Sequence, residues 1–348
     1  MRALRYDTSM ATPNRPVTLE DIAREAGVST GTVSRALSGG TLVNKITRER
    51  IQALAAARNY KPNLLARNLR TRKTGAIAVV IPLGHETEQH ISDPFFTVML
   101  GYLADALSER DNDLLLSRVI PSGPEWIGNY IDSGRVDGII VIGQSNQSDA
   151  LNAAAERYTP LVVWGAKRDS QKYCTIGSDN RVGGLIATVH LFERGCKTIA
   201  FFGDPSSPEI EQRLDGCRAG CVAAGMTSEI QVLATHLTAD RAYTAICEFL
   251  DAGHIPDGIV AATDVIAMAA LRALSERGIA VPDRVKVTGY DDLGFASHTS
   301  PPLTTVRQDL ELSAKYLVET LFKRIAGEAT PSVVLSPRLV VRESSGGA

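Results

Sequence analysis

Gly27-Val28-Ser29-Thr30-Gly31-Thr32-Val33-Ser34-Arg35-Ala36-Leu37 is the most telling stretch of this 348-residue chain. Two short helical patterns meet there at a glycine, the arrangement by which a protein lays one helix in the major groove of DNA. Upstream, Thr18 precedes Leu19-Glu20-Asp21-Ile22-Ala23. Its hydroxyl can accept a free N–H of the first turn, and the two acids oppose the positive end of the helix dipole. The spacing of Leu19, Ile22, Ala23 and Ala26 predicts a buried stripe, and Gly27 supplies the backbone that ends the helix. Ser29 caps a second helix with Val33, Ala36 and Leu37 inward, which turns Thr30, Gly31, Ser34 and Arg35 outward at its N-terminal end. A third helix is predicted from Lys45 to Arg58, capped by Asn44 or Thr47, with Ile46, Ile51, Leu54 and Ala55 inward, and stopped before Pro62.

The same three-helix pattern can serve as a packed lid, and charge separates the two readings. Residues 1–74 carry 14 Lys or Arg against 5 Asp or Glu, a net of +9, whereas the remainder carries 23 against 34, a net of −11. A basic module on an acidic body is the footprint of a polyanion binder.

Val17-Thr18-Leu19-Glu20-Asp21-Ile22-Ala23, Gly27-Val28-Ser29, Thr32-Val33-Ser34-Arg35 and Asn59-Tyr60-Lys61-Pro62-Asn63 together resemble the headpiece of the lac repressor (LacI/GalR) family of bacterial transcription regulators. The likeness continues to about Arg342 and covers nearly the whole chain. It implies that Thr30, Gly31 and Arg35 occupy base-reading positions, and that Ser29, Thr32, Ser34, Asn44 and Thr47 are phosphate contacts or caps. Arg35 is the strongest base reader, since its fork can engage guanine O6 and N7; a phosphate clamp is its other possible role. Gly31 departs from the larger side chain often found there, which weakens readout at that base pair or leaves it to Thr30. The resemblance makes Asn63 to Arg70 a hinge helix, with Leu69 where the family inserts a leucine from each subunit into the minor groove. A free peptide of this length is too short for a stable helix, so it should order only on DNA; an ordinary basic linker is the alternative.

Beyond residue 75, short apolar runs alternate with helical stretches. Strands are expected at Ala76–Pro82, Leu114–Arg118, Gly138–Ile142, Leu161–Trp164, Thr198–Phe202, Gly258–Ala262 and Val285–Tyr290. Helices are expected near Phe95–Arg110, Gly123–Gly134, Gln147–Tyr158, Asn180–Arg194, Glu209–Ala224, Ala239–Ala252 and Val265–Arg277. Such alternation argues for parallel sheets covered by helices on both faces, with ligands at the carboxyl ends of the strands. The resemblance adds a two-lobed core like a periplasmic sugar-binding protein (type I), an α/β effector domain behind an all-α helix-turn-helix headpiece. The expected division is a disordered tail over 1–14, the headpiece over 15–62, hinge and linker over 63–75, and an effector-binding and dimerisation domain over 76–348.

In that core, Arg213 matches a family arginine that holds the effector's polar groups, and Asp264 and Asp291 lie in corresponding loops. Carboxylates opposite an arginine suit a sugar's hydroxyls. Each has a plainer role: Arg213 can pair with Asp215 or Glu209, Asp264 can cap the helix at Val265, and Asp291 can cap a loop and position Tyr290. The loop from His85 to Phe96 is longer and more polar than a strand–helix turn needs. Asp93 can cap and touch ligand there, while Phe95, Phe96 and Trp164 can stack on a sugar face or pack in the core. Ser92-Asp93-Pro94-Phe95-Phe96 resembles regulators of α-glucoside or sucrose use. His85, Glu86, Glu88 and His90 lack the helical ligand spacing with a third partner that a metal site needs.

No Walker or G-x-G-x-x-G pattern appears, and Gly143-Gln144-Ser145-Asn146-Gln147 lacks the last glycine of a nucleophile elbow, so an enzyme is not expected. Neither a metal nor a cofactor is expected. Five cysteines without C-x-x-C spacing suit a reducing cytosol. No apolar run approaches a membrane span, residues 1–14 lack the apolar core of a signal peptide, and the C-terminal residues show no leucine heptad for a tetramer.

The expectation is therefore a cytoplasmic, nucleoid-associated homodimeric repressor on a palindromic DNA operator, released by a small sugar. A purine-type co-repressed regulator and a sugar-handling protein that does not act on DNA are the alternatives. Leu69→Ala should cost specific operator binding far more than non-specific binding, measured as two dissociation constants at one salt concentration; equal losses would reject the wedge.

Overall fold

A computed structural model describes residues 17–37, 43–60, 73–84, 87–226 and 230–347. The expected tail over 1–14 and the hinge residues 63–72, Leu69 included, lie outside the described residues, as do His85 and Glu86. The chain forms two compact units, Met1–Lys73 and Thr74–Ala348.

In the first unit, α1 (Leu19–Ala26), α2 (Thr30–Leu37) and α3 (Lys45–Ala57) enclose Ile22, Val33, Ala36 and Ile51. Thr18 and Asp21 make a reciprocal capping box, each side chain taking the other's backbone N–H. Gly27 ends α1 at φ 63, a left-handed conformation that costs a glycine nothing. Arg50 Nη2 donates to Ala26 O at 2.6 Å, placing a cation at the negative end of α1. The inward expectation for Ile46 fails: it is 76% exposed. Five residues separate it from Ile51, about 140° around a helix of 3.6 residues per turn, so both cannot face one core. Val43, just before the helix, fills the inner position instead.

The second unit has two six-stranded sheets. The first runs β11-β5-β4-β3-β1-β2, from β1 (Ala76–Pro82), β2 (Asp113–Val119), β3 (Gly138–Ile142), β4 (Leu161–Trp164), β5 (Cys174–Ser178) and β11 (Val333–Leu335). The second runs β12-β10-β9-β8-β6-β7, from β6 (Ile199–Phe202), β7 (Gln231–Leu233), β8 (Gly258–Ala261), β9 (Lys286–Asp291), β10 (Thr304–Arg307) and β12 (Arg338–Val340). Every pairing is parallel except β10 with β12. The apolar run of β1 shows why both faces are covered: Ile77, Val79 and Ile81 join one buried cluster, Ala78 and Val80 the opposite one.

The helices of this unit are α4 (Pro94–Ser108), α5 (Ser148–Arg157), α6 (Asn180–Glu193), α7 (Pro208–Ala223), α8 (Ala239–Asp251), α9 (Asp264–Glu276) and α10 (Leu310–Ile325). The helix expected over Gly123–Gly134 is instead a 3₁₀ turn at Pro124–Ile127 and one short turn at Gly128–Ile131. The chain passes between sheets three times: β5 into α6, β10 into α10, and β11 into β12.

Helices α6 and α7 touch backbone to backbone. A Cβ on Gly184 would lie 2.0 Å from Arg213 O, and one on Gly216 would lie 2.0 Å from Arg181 O. This reciprocal contact sets Arg213 against Asn180, Nε to Oδ1 at 2.9 Å. Gly216→Ala must separate the helices and should destabilise the protein by about 2 kcal/mol or more, whereas Gly123→Ala, which meets nothing, should change stability by under about 0.5 kcal/mol. Denaturant melts of the two variants measure this, and equal stabilities would refute the contact.

Candidate effector cleft and nucleic-acid interface

The exposed end of α2 carries Ser29, Thr30 and Arg35, with Gly31, Thr32 and Ser34 half-buried beside them. Ser29 Oγ accepts Thr32 N at 3.2 Å and meets Thr32 Oγ1 at 2.9 Å, so both hydroxyls serve the cap. Asn44 caps α3 through Ile46 N at 2.9 Å, and Thr47 is half-buried in its first turn. Arg35 lies along its own helix, Nε donating to Gly31 O at 3.1 Å. A Cβ on Gly31 would approach Arg35 Nη2 at 3.4 Å, so the missing side chain leaves room for the guanidinium.

In the second unit, a cavity with about 770 Å³ of empty volume, its mouth included, opens between the two sheets. Its walls come from the carboxyl ends of the strands: Leu83 after β1, Gly143 and Ser145 after β3, Trp164 on β4, Ser207 after β6, Thr263 after β8 and Asp291 on β9. Arg213, Asp291, Asp93, Phe95, Phe96 and Trp164 all line it. Asp264 does not. It is fully buried, its Oδ2 accepting Leu293 N at 2.8 Å and its Oδ1 accepting the Thr305 hydroxyl at 2.5 Å. Nor does it cap α9, because Thr263 does, accepting Ile266 N at 3.2 Å.

One lobe brings Phe95, Phe96, Trp164 and Asp93 to the cavity, and the other brings Glu209, Arg213 and Asp291. Phe95 lies 6.4 Å from Trp164 and 5.7 Å from Phe96, between ring centroids. Opposite them, Arg213 stacks over Tyr290 at 3.7 Å and donates from Nη1 to Ala262 O at 2.6 Å. Asp93 caps α4 through Phe95 N at 2.9 Å and accepts from Gln89 Nε2 at 3.1 Å; burial outweighs these bonds and raises its pKa. Glu209 reaches across to Ala166 N at 3.3 Å.

Asp291 sits at φ 116, a strained angle for any residue with a side chain. It is 4% exposed, and Gln308 Nε2 donates to its Oδ1 at 2.7 Å. Burial pushes its pKa up to about 7, against the lowering influence of Arg213 and Gln308 and with a further rise from Asp93. Burial, then the Asp291 charge, hold Asp264 well above the ordinary carboxylate range.

Sequence reading missed Gln89, Ser145, Ser207, Glu209, Leu237, Thr263 and Val265 in this lining, and Gln308 behind it. Ser145, Ser207 and Thr263 follow strand ends, so the carboxyl-end rule was the available signal. Gln308 had none, because it follows β10, whose pairing with β9 brings it beside Asp291 from 17 residues away.

A bacterial regulatory protein model, the lacI family, matches residues 18–63, and a periplasmic binding protein-like domain matches residues 188–345. The transcriptional regulator CelR of Thermobifida fusca is 35% identical over 338 residues, 95% of this chain and 98% of the relative. The chain belongs to the lacI family. Among solved structures, a lac repressor dimer bound to operator and the anti-inducer ONPF has TM-score 0.80 at 27% identity, covering 95% of this chain and 99% of that one. A CelR–cellobiose complex has TM-score 0.68 at 32% identity, covering 94% and 99%. This lacI-family protein is accordingly a DNA-binding transcriptional regulator with a two-lobed α/β effector domain. No helix among the described residues is long and apolar enough to cross a membrane, and no group of three or more His, Cys, Asp or Glu among them could hold a metal.

Asp291 carries a pH dependence whose sign follows from its raised pKa. The unfolded chain ionises this carboxyl near the ordinary value of 3.8 and the folded chain near 7, so its ionisation lowers stability progressively between those values and fully above them. Asp291→Asn should raise stability at pH 8 by at least about 1 kcal/mol, roughly 2–4 °C in Tm, and not at pH 4. Thermal melts at both pH values measure this; equal shifts would reject it.

Proposed function

We propose that this regulator is a homodimeric repressor that binds a palindromic operator and leaves it when a sugar fills the cleft. The observation that carries the reading is the pairing, across one interlobe cavity, of the Phe95 and Trp164 faces with Arg213 and Asp291. Aromatic faces suit the apolar side of a pyranose, while a carboxylate and a guanidinium serve its hydroxyls as acceptor and donor. The relative crystallised with cellobiose supports a disaccharide, and the resemblance of Ser92–Phe96 keeps α-glucosides and sucrose beside it. A binding cleft without a catalytic step is the role assigned to this cavity, and the protein acts on chromosomal DNA in the bacterial cytoplasm.

In the first unit, Thr30, Gly31 and Arg35 read bases, and Leu69 from each subunit enters the minor groove. Ser29, Thr32, Ser34, Asn44 and Thr47 hold the helix ends and meet phosphates. Residues 15–62 form the headpiece, 63–75 the hinge and 76–348 the body that dimerises and takes the ligand. Two-fold symmetry follows because one recognition helix spans a single half-site.

Selection from random duplexes with the full chain should return a palindrome bound about a thousandfold more tightly than a scrambled duplex, and Arg35→Ala should lose about 1–3 kcal/mol there and relax one position. Adding cellobiose, maltose or sucrose should weaken operator binding in at least one case. Equal binding of palindrome and scramble rejects the operator reading. Tightening by the ligand replaces induction with co-repression.

A further inference from the structure

We propose that the cleft selects an uncharged, hydroxyl-donating ligand and rejects the phosphorylated form of the same sugar. This rests on the reading of the cleft as the effector site, and adds the charge that the site admits.

Three carboxylates, Asp93, Glu209 and Asp291, line the cavity against one guanidinium, Arg213. That guanidinium is largely spent. Nε donates to Asn180 Oδ1 at 2.9 Å, Nη1 to Ala262 O at 2.6 Å, and the cation lies over the Tyr290 ring. Nη2 is what it can turn to a ligand.

Three helices, α4, α7 and α9, also begin at this cavity, and helix N-termini ordinarily attract anions. Here the protein has answered them itself. Asp93 takes Phe95 N, the Ser207 hydroxyl takes Ile210 N at 3.4 Å, and the Thr263 hydroxyl takes Ile266 N. Glu209 and Glu211 stand in the first turn of α7, and Asp264 in that of α9. Arg241, four residues beyond the lining residue Leu237, pairs with Glu88.

The open positions are acceptors. Asp291 is 4% exposed and takes its one hydrogen bond at Oδ1, which leaves Oδ2 for the cavity. Glu209 uses Oε1 on Ala166 N. A sugar hydroxyl donates to such oxygens and accepts from Arg213. A phosphate brings up to two negative charges and, as the dianion, only acceptors into a lining where three carboxylates, Asp93, Glu209 and Asp291, face one guanidinium whose Nε and Nη1 are already engaged.

Calorimetry with the full chain tests this on cellobiose, maltose and sucrose and on the 6-phosphate of each. At least one neutral sugar should bind, and its phosphate should bind about a hundredfold more weakly or worse, as like-charge juxtaposition in a desolvated site requires. The double variant Asp93→Asn with Glu209→Gln should narrow that gap at least tenfold.

A phosphate that binds as well as its parent overturns the charge selection and leaves the effector site standing. An unchanged gap in the folded double variant assigns the rejection to shape and likewise overturns it. If no sugar of either kind binds, the sugar reading and this inference fall together.

Discussion

The second unit turns on the strained corner at the end of β9. Asp291 and Asp292 both have positive φ, 116 and 55, and three consecutive residues there tie three parts of the fold. Asp291 faces the cavity and holds Gln308, in the passage from β10 into α10. Asp292, with its side chain 2% exposed, pairs with Arg307 and Arg342, one on β10 and one just past β12. Leu293 gives its N–H to the buried Asp264 and its side chain to the core of the other sheet. A left-handed backbone costs of order 1–3 kcal/mol at such a residue, and persists only where its surroundings over-determine it. Here the ion pairs to Arg307 and Arg342 and the hydrogen bond from Gln308, at the start of the passage from β10 into α10, do so.

The α6–α7 contact supports the same site beside this corner. Because Gly184 and Gly216 remove the side chains between the helices, Arg181 O and Arg213 O lie at backbone packing distance from the partner helix. Arg213 then reaches Asn180, at the start of α6, and spans to Ala262 at the end of β8. The guanidinium is thus fixed before a ligand arrives, which limits the ordering cost of binding. Placing carboxylates beside it in a buried cleft is expensive for folding, as the raised pKa of Asp291 records. Strain and desolvation concentrated at one corner are what a binding site tolerates and a plain core does not.

Much of this was legible from local patterns. The headpiece helices begin and end where Thr18, Gly27, Ser29 and Asn44 place them, since a cap acts on its own first or last turn. The strands expected between Ala76 and Tyr290 stood out as short apolar runs, most of them buried on both faces. Cys174–Ser178, Thr304–Arg307 and the helix Leu310–Ile325 were not anticipated, the two strands because Thr, Gly, Ser and Arg interrupt their apolar runs although they are almost wholly buried. The short or edge strands Gln231–Leu233, Val333–Leu335 and Arg338–Val340 carried no such run, and their half-exposed faces explain why. Ile46 misled the reading because an apolar residue near the right spacing was counted without its angle. Asp264 misled it because a carboxylate just past a strand end can face the cleft or the interior, and only the position of Thr305 and Leu293 distinguishes them.

The sequence by itself determined the helix-turn-helix, the alternation of strands and helices through most of the body, the charge contrast between the N-terminal module and the body, and the residue types of the cleft. Periodicity, caps and composition are properties of neighbours along the chain, so one linear reading contains them. Tertiary structure alone decided which carboxylates reach the cavity, that Arg213 is mostly spent on Asn180, Ala262 and Tyr290, and that Gln308 and Arg342 hold the corner at Asp291 and Asp292. Those facts depend on segments 17 to 77 residues apart meeting in the fold, and hydrogen-bond direction and desolvation exist only once they have met.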